Sequence, residues 1–226
     1  MAASEDLRLA VDGAHEVSAL FSRQPNARHL LVLGHGAGAG MNHPFMENLA
    51  SELGAARVAT LRYQFPYMEE RRRVPDGPAV LTATVVAAVR AAAKAAPDLP
   101  LLAGGKSMGG RMTSQAAAHR PLDGVRGLVF FGFPLHPPKR PSTKRADHLT
   151  KVTVPMLFLQ GTRDNLADLN LLRPICAKLG SLVRLSVIET ADHSFHVLKR
   201  SGTSDTAVLQ QLAQTVGSWA EQIEGS

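Results

Sequence analysis

The sequence predicts an α/β domain, a largely parallel sheet with helices between most of its strands. Three observations carry that prediction. Strand-like and helix-like patterns alternate along the chain, as they do in βα units. Hydrophobic residues make up 45% and charged residues 19% of the 226 residues. That is enough apolar side chain for one sizeable core, and the charge content is too low for a disordered tail protein. Several short apolar runs also end in glycine-rich or charged loops, the way buried strands lead into site-bearing loops. The length fits a single domain over residues 1–226.

Each element has its own signal. Leu7–Val11 and Val17–Phe21 alternate apolar and polar residues around Asp12-Gly13, a favoured hairpin turn. His29–Leu33 is a short apolar run ending in the loop Gly34-His-Gly-Ala-Gly-Ala-Gly40, so it reads as a buried strand. Pro44 suits the first turn of a helix running to Leu53, and Arg57–Leu61 is the next strand. Pro78 opens a long Ala/Val-rich helix that ends before Pro97. Leu101–Gly104 is a strand, Gly109 to His119 a helix and Val125–Phe131 a strand rich in β-branched and aromatic residues. Pro134 to Thr150 reads as a loop stiffened by Pro134, Pro137, Pro138 and Pro141. Pro155–Gln160 is a strand. Leu166 to Leu179 is amphipathic, with Pro174 expected to break or kink it. Leu182–Ile188 is the last strand and Asp205–Ile223 the last helix, which makes about eight strands in all.

Composition narrows the function. A single cysteine, Cys176, excludes a disulfide framework and any multi-cysteine zinc or iron–sulfur site. Aromatic residues are 5%, too few for the stacking platforms of single-strand nucleic-acid binders. The net charge of +6 allows an anionic partner, but the basic residues are scattered apart from Arg71–Arg73 and the stretch from Lys139 to Arg145. No nucleic-acid partner is expected. The first residues are polar and acidic, unlike a secretory leader. The longest apolar stretch, Ala79 to Val89, falls short of the ~20 residues of a membrane span. The expectation is a cytoplasmic protein with no membrane partner.

The chemistry centres on Gly105-Lys-Ser-Met-Gly109, a G-x-S-x-G pattern after an apolar strand and before a helix. The turn between them strains the serine and lifts its hydroxyl clear of the sheet, and the flanking glycines leave room for neighbouring backbone. A serine needs a base, and the base a positioned acid. Asp164 follows the strand ending at Gln160, and His193 follows the last strand, so the order is Ser107, Asp164, His193. Rival roles stand beside these. Asp164 can cap the following helix. Asp168 reads as a solvated helix residue, and Asp147 as a less well placed acid. His196 competes with His193 for the role of base. Asp192 is a poor orienting acid because adjacent side chains point apart. His35-Gly-Ala-Gly38 sits where backbone N–H groups form an oxyanion hole, which makes Ala37 and Met108 the donors. The same glycines could cradle phosphate, although neither phosphate-loop spacing is present. His35 reads as a residue that braces its loop.

Together, Gly34-His-Gly-Ala-Gly-Ala, Phe65-Pro-Tyr-Met68, Gly104–Arg111, Pro134–Lys139, Gln160–Asp164 and Asp192-His193 resemble the α/β-hydrolase superfamily. More narrowly they resemble the dienelactone-hydrolase-related group that shares its domain with animal testis-expressed and chromatin-complex proteins. The resemblance covers roughly residues 29–222. It implies the α/β-hydrolase fold, an eight-stranded mostly parallel sheet with helices on both faces, and a Ser–Asp–His triad. Dienelactone hydrolases proper use a cysteine where this chain has Ser107, so their substrate does not carry over.

The segment from Pro134 to Thr150 is the only room for a cap, which implies a shallow site and a small or polar substrate. Arg111, Lys139 and Arg140 are either a bias towards anionic acids or ordinary solvated cations. The expected function is a carboxylic-ester-type serine hydrolase, taking a small-molecule acyl substrate and needing neither metal nor cofactor. The alternative is a binding or scaffold protein on the same fold.

Overall fold

The computed structural model describes residues 4–225. Its strands are β1 (Ser4–Ala10), β2 (Glu16–Ser22), β3 (His29–Gly34), β4 (Val58–Tyr63), β5 (Leu101–Lys106), β6 (Val125–Phe131), β7 (Met156–Gly161) and β8 (Val183–Ile188). Its helices are α1 (Pro44–Ala55), α2 (Pro66–Glu69), α3 (Pro78–Ala95), α4 (Met108–His119), α5 (Leu169–Leu179) and α6 (Asp205–Glu224). The strands form one sheet in the order β1-β2-β4-β3-β5-β6-β7-β8. β1 and β2 pair antiparallel, as do β2 and β4, and every other pair is parallel. This is the eight-stranded, mostly parallel sheet that the sequence predicts.

Strands at the centre carry side chains on both faces into apolar layers. All six residues of β3 and of β7 are buried, which is why both read as unbroken apolar runs. On one face Leu81, Val85, Ala88, Met112, Phe130 and Phe158 belong to a core with α3 and α4. On the other, Met46, Leu49, Phe131, Leu159, Leu212 and Trp219 form a second core with α1 and α6. By length and composition α3 would also pass for a membrane span, but one face of it, including Thr84 and Ala92, is buried against the protein.

Three expectations need correction. Pro174 lies inside α5 without ending it. Only the bond that residue 174 would donate to the Asn170 carbonyl is lost, and buried Leu172 and Cys176 keep the helix packed. Asp168 is the N-cap of α5, accepting the Asn170 N–H at 2.8 Å, and is not a residue of the helix face. The stretch from Pro134 to Thr150 is not all loop: Lys144–Lys151 forms a 3₁₀ helix packed beside α4.

The chain order runs outward in both directions from the gap between β3 and β5. That is a topological switch point, beside which open α/β sheets place their sites.

Candidate active site

Ser107 sits at this switch point, between the end of β5 and the first turn of α4. Its backbone has φ 50° and ψ −111°, a conformation that side chains rarely adopt. The strain persists because the surrounding backbone leaves no alternative. A Cβ on Gly105 or Gly109 would be driven into the Gly34 carbonyl oxygen, so β3, β5 and α4 meet there backbone to backbone. The positive end of the α4 dipole points at the serine.

Asp164 and His193 come from the loops after β7 and β8. His193 reaches Ser107, and Asp164 reaches His193, because the carboxyl ends of these strands lie on the same edge of the sheet as that of β5. His193 Nε2 is 2.9 Å from Ser107 Oγ, and His193 Nδ1 is 2.7 Å from Asp164 Oδ2. With Asp164 ionised, Nδ1–H donates to the carboxylate and Nε2 is left to accept the hydroxyl proton. The Asp164 side chain is 1% exposed and that of His193 20%. The carboxylate is held by other donors too. Gln160 Nε2–H donates to Oδ2 at 2.5 Å and the Leu166 N–H to Oδ1 at 2.8 Å. The Gln160 amide is fixed in turn by accepting the Phe133 N–H at 3.0 Å.

The competing acids and base lie elsewhere. His196 is exposed and pairs with Asp205 at 2.8 Å, which raises its affinity for a proton. The Asp192 carboxylate accepts the N–H groups of Ser194 and His196 and so shapes the loop that carries His193. Asp147 lies in the 3₁₀ helix beside α4.

The loop after β3 forms the opposite wall. Ala37 lines the cavity at Ser107 together with Gly36 and Ala39. Met108 opens α4, so its N–H has no preceding helical carbonyl to bond. His35 braces the loop, as its position implies. Its Nδ1 donates to the Gly36 carbonyl at 2.8 Å and its Nε2 accepts the Phe65 N–H at 3.1 Å, which fixes the neutral tautomer. Burial pushes this imidazole down to about 4. Further along the loop, Arg62 donates to the Met41 carbonyl at 2.8 Å and Gln64 accepts the Met41 N–H at 2.9 Å.

The cavity measures about 310 Å³ and is walled by Phe45, Met46 and Leu166 as well as the groups above. A larger open groove of about 950 Å³ lies at the opposite end of β5 and β6, and its lining includes neither serine nor histidine. The cation at the Ser107 cavity is Lys106. Arg111, Lys139 and Arg140 are not among its lining residues, so of the two readings open in the sequence the anion bias gains no support from them. Lys106 and Gln160 carry no signal of their own in the sequence, because each looks like filler in a motif, the one as an x in G-x-S-x-G and the other as the end of a strand. Among the described residues, no three His, Cys, Asp or Glu side chains gather as a metal site requires.

Solved structures share this architecture. A dienelactone hydrolase from Anabaena variabilis gives a TM-score of 0.76 at 22% identity, over 98% of this chain and 98% of that one. An α/β serine hydrolase homologue from Coxiella burnetii gives 0.74 at 19% identity, over 94% of this chain and 96% of that one. An α/β serine hydrolase without lid from Xanthomonas campestris gives 0.74 at 18% identity, over 96% of this chain and 94% of that one. At these identities the likeness is one of fold. The sequence itself matches the family model described as alpha/beta hydrolase domain over residues 27–221, and the chain belongs to that family.

Proposed function

We propose that the protein is a serine hydrolase that cleaves a carboxylic ester with a small or polar acyl group. The observation that carries this reading is the hydrogen-bonded chain Ser107–His193–Asp164 at the wall of a cavity. In the proposed cycle Ser107 Oγ attacks the ester carbonyl carbon while its proton passes to His193 Nε2. Asp164 holds the imidazole and stabilises the imidazolium. The carbonyl oxygen becomes an oxyanion facing the N–H groups of Ala37 and Met108, each such donor contributing ~3 kcal/mol in the transition state. The tetrahedral species collapses, the C–O bond breaks and the alcohol leaves with the proton from Nε2. A water then repeats the sequence on the acyl-enzyme, freeing the acid and restoring Ser107.

Substrate size follows from the walls. A cavity of 310 Å³ is at the small end of ligand sites, which run from roughly 300 to 1,000 Å³. The proline-rich stretch does not roof it: His136, Lys139 and Pro141 line a separate groove beside Asp164. The same reading places the protein near dienelactone hydrolases in shape, with a serine in place of their cysteine, and within the group that shares its domain with animal testis-expressed and chromatin-complex proteins.

Two measurements test the reading. A fluorophosphonate probe is expected to label Ser107 in the native protein. kcat/KM across p-nitrophenyl esters is expected to rise over the first few carbons, by ~1 kcal/mol or less for each methylene buried, and then to level off. Absence of labelling together with absence of turnover would favour a scaffold on this fold. Continued gain out to long chains would refute the small-acyl assignment.

A further inference from the structure

The residue before the nucleophile has a use that the proposed cycle leaves unassigned. Lys106 turns its side chain inward at the end of β5. Its ammonium donates to the His193 carbonyl oxygen at 2.6 Å. It also lies 5.4 Å from the centre of the Phe195 ring and 5.8 Å from that of Phe45, and those two rings stack 5.9 Å apart. Cations are favoured against aromatic faces at such distances. The amine therefore closes a slot made of α1, the elbow and the loop after β8, and ties that loop to the elbow.

The ammonium is also close to the reacting pair. Lys106 Nζ, Asp164 Oδ2 and His193 Nδ1 all lie within 3.4 Å of one point, the place a Cβ on Gly132 would take. Gly132 has φ 69°, so the backbone there favours glycine and leaves that point open. The charged or titratable groups around the slot are Asp164 after β7, Asp192 and His193 after β8, and His43 before α1 at the cavity wall. Of these, Asp164 and Asp192 are the anions that favour the ammonium.

We propose that Lys106 is a positioning residue for the base: through its bond to the His193 carbonyl it fixes where the imidazole stands, and through its charge it opposes protonation of that imidazole. Resting on the serine-hydrolase reading, this gives the cation at the cavity wall a role that acts through the base. Burial pushes Lys106 down to about 8, against the opposing pull of Asp164 and Asp192, so the amine is mostly charged at neutral pH.

The test uses two variants of the full chain. Lys106→Met fills the slot between the rings but neither donates nor carries charge. Lys106→Gln keeps a donor and drops the charge. Both are expected to keep KM within a few-fold. Lys106→Met should lose about tenfold or more in kcat, the size of one lost charge-assisted hydrogen bond, and Lys106→Gln should recover part of that loss. In both, the acid limb of the kcat/KM profile should move to higher pH by about one unit, because a cation a few ångströms from the imidazole has been removed. A purely structural role would lower the melting temperature and leave the limb in place.

NMR titration of the His193 ring, assigned by comparison with His193→Ala, reads the same shift without any substrate. It therefore separates the two readings. If the wild type neither hydrolyses esters nor takes the probe, the hydrolase assignment fails, and the titration still decides the role of Lys106. Titration midpoints that agree between wild type and both variants overturn the proposal, as does a loss confined to KM.

Discussion

Replacing Asp164 by asparagine asks whether the charge of the acid, and not merely its shape, is used. The carboxylate meets donors on both oxygens: Gln160 and His193 on Oδ2, the Leu166 N–H on Oδ1. An asparagine NH₂ must face one of these sets. Turning it to the Oδ1 side costs one hydrogen bond, and turning it to the Oδ2 side costs two. The first orientation should win, and it leaves His193 with its tautomer intact. What is lost is the charge beside the imidazolium. Two charges about 4 Å apart at an effective dielectric of about 20 interact by about 4 kcal/mol, which is close to a 10³-fold loss in kcat/KM. Leaving the Leu166 N–H facing a donor should also cost about 1–3 kcal/mol of stability. The assay is p-nitrophenyl acetate hydrolysis at pH 8 beside a urea melt. Turnover within tenfold of wild type in a folded Asp164→Asn protein would refute the reasoning.

Ser107→Ala and Ser107→Gly should both remove ester hydrolysis, by ~10³-fold or more. Glycine should be the more stable of the two by about 1 kcal/mol, because it relieves the positive φ, and a calorimetric comparison checks this. His193→Ala should match the loss in Ser107→Ala, and the double variant should be no worse than either, since the groups act as a unit. His196→Ala should stay within a few-fold of wild type in the same assay, because its side chain is committed to Asp205 on the surface. Acid should destabilise the fold through His35. Its folded value is below that of the unfolded chain, so the unfolded state binds the extra proton and stability falls as pH drops from about 6.5 towards 4. Between pH 7 and pH 5 this single group contributes a loss of roughly 2 kcal/mol in urea melts, and a His35→Gln variant should show a shallower slope.

The central strands were legible because their chemistry is extreme. β3, β5 and β7 are short apolar runs cut off by glycine or charge, and burial on both faces leaves no other pattern. Ser107 and Asp164 stand out because each follows such a strand closely, whereas His193 follows the edge strand β8, which is only partly buried, and stands out by chain order. The sequence is less informative where one residue can serve several local ends. Asp168 reads as a helix-face residue, but its carboxylate accepts the Asn170 N–H and starts the helix instead. Pro174 reads as a break or a kink, yet the helix runs on through it, with Leu172 and Cys176 buried on either side of the missing bond. Arg111 lies in the first turn of α4 with its N–H on the Ser107 carbonyl, yet Lys106 lines the cavity and Arg111 does not, because that depends on side-chain direction, which no spacing rule encodes. Lys106 was hidden for the same reason. Nothing in G-x-S-x-G says whether the first x points to solvent or under the histidine loop.

The two cores on opposite faces of the sheet give the site an unusual dependence. Ser107 caps the start of α4, whose Met108 and Met112 belong to the layer with α3. The loop that carries His193 is moored by Ala191, Phe195 and Val197 in the other layer, with α1 and α6. Ser107 and His193 are thus fastened to separate foundations, and the 2.9 Å contact between them joins segments moored on opposite faces of the sheet. A packing defect planted deep in either layer, far from any reacting atom, should therefore act as misalignment, with its origin readable from which partner has moved.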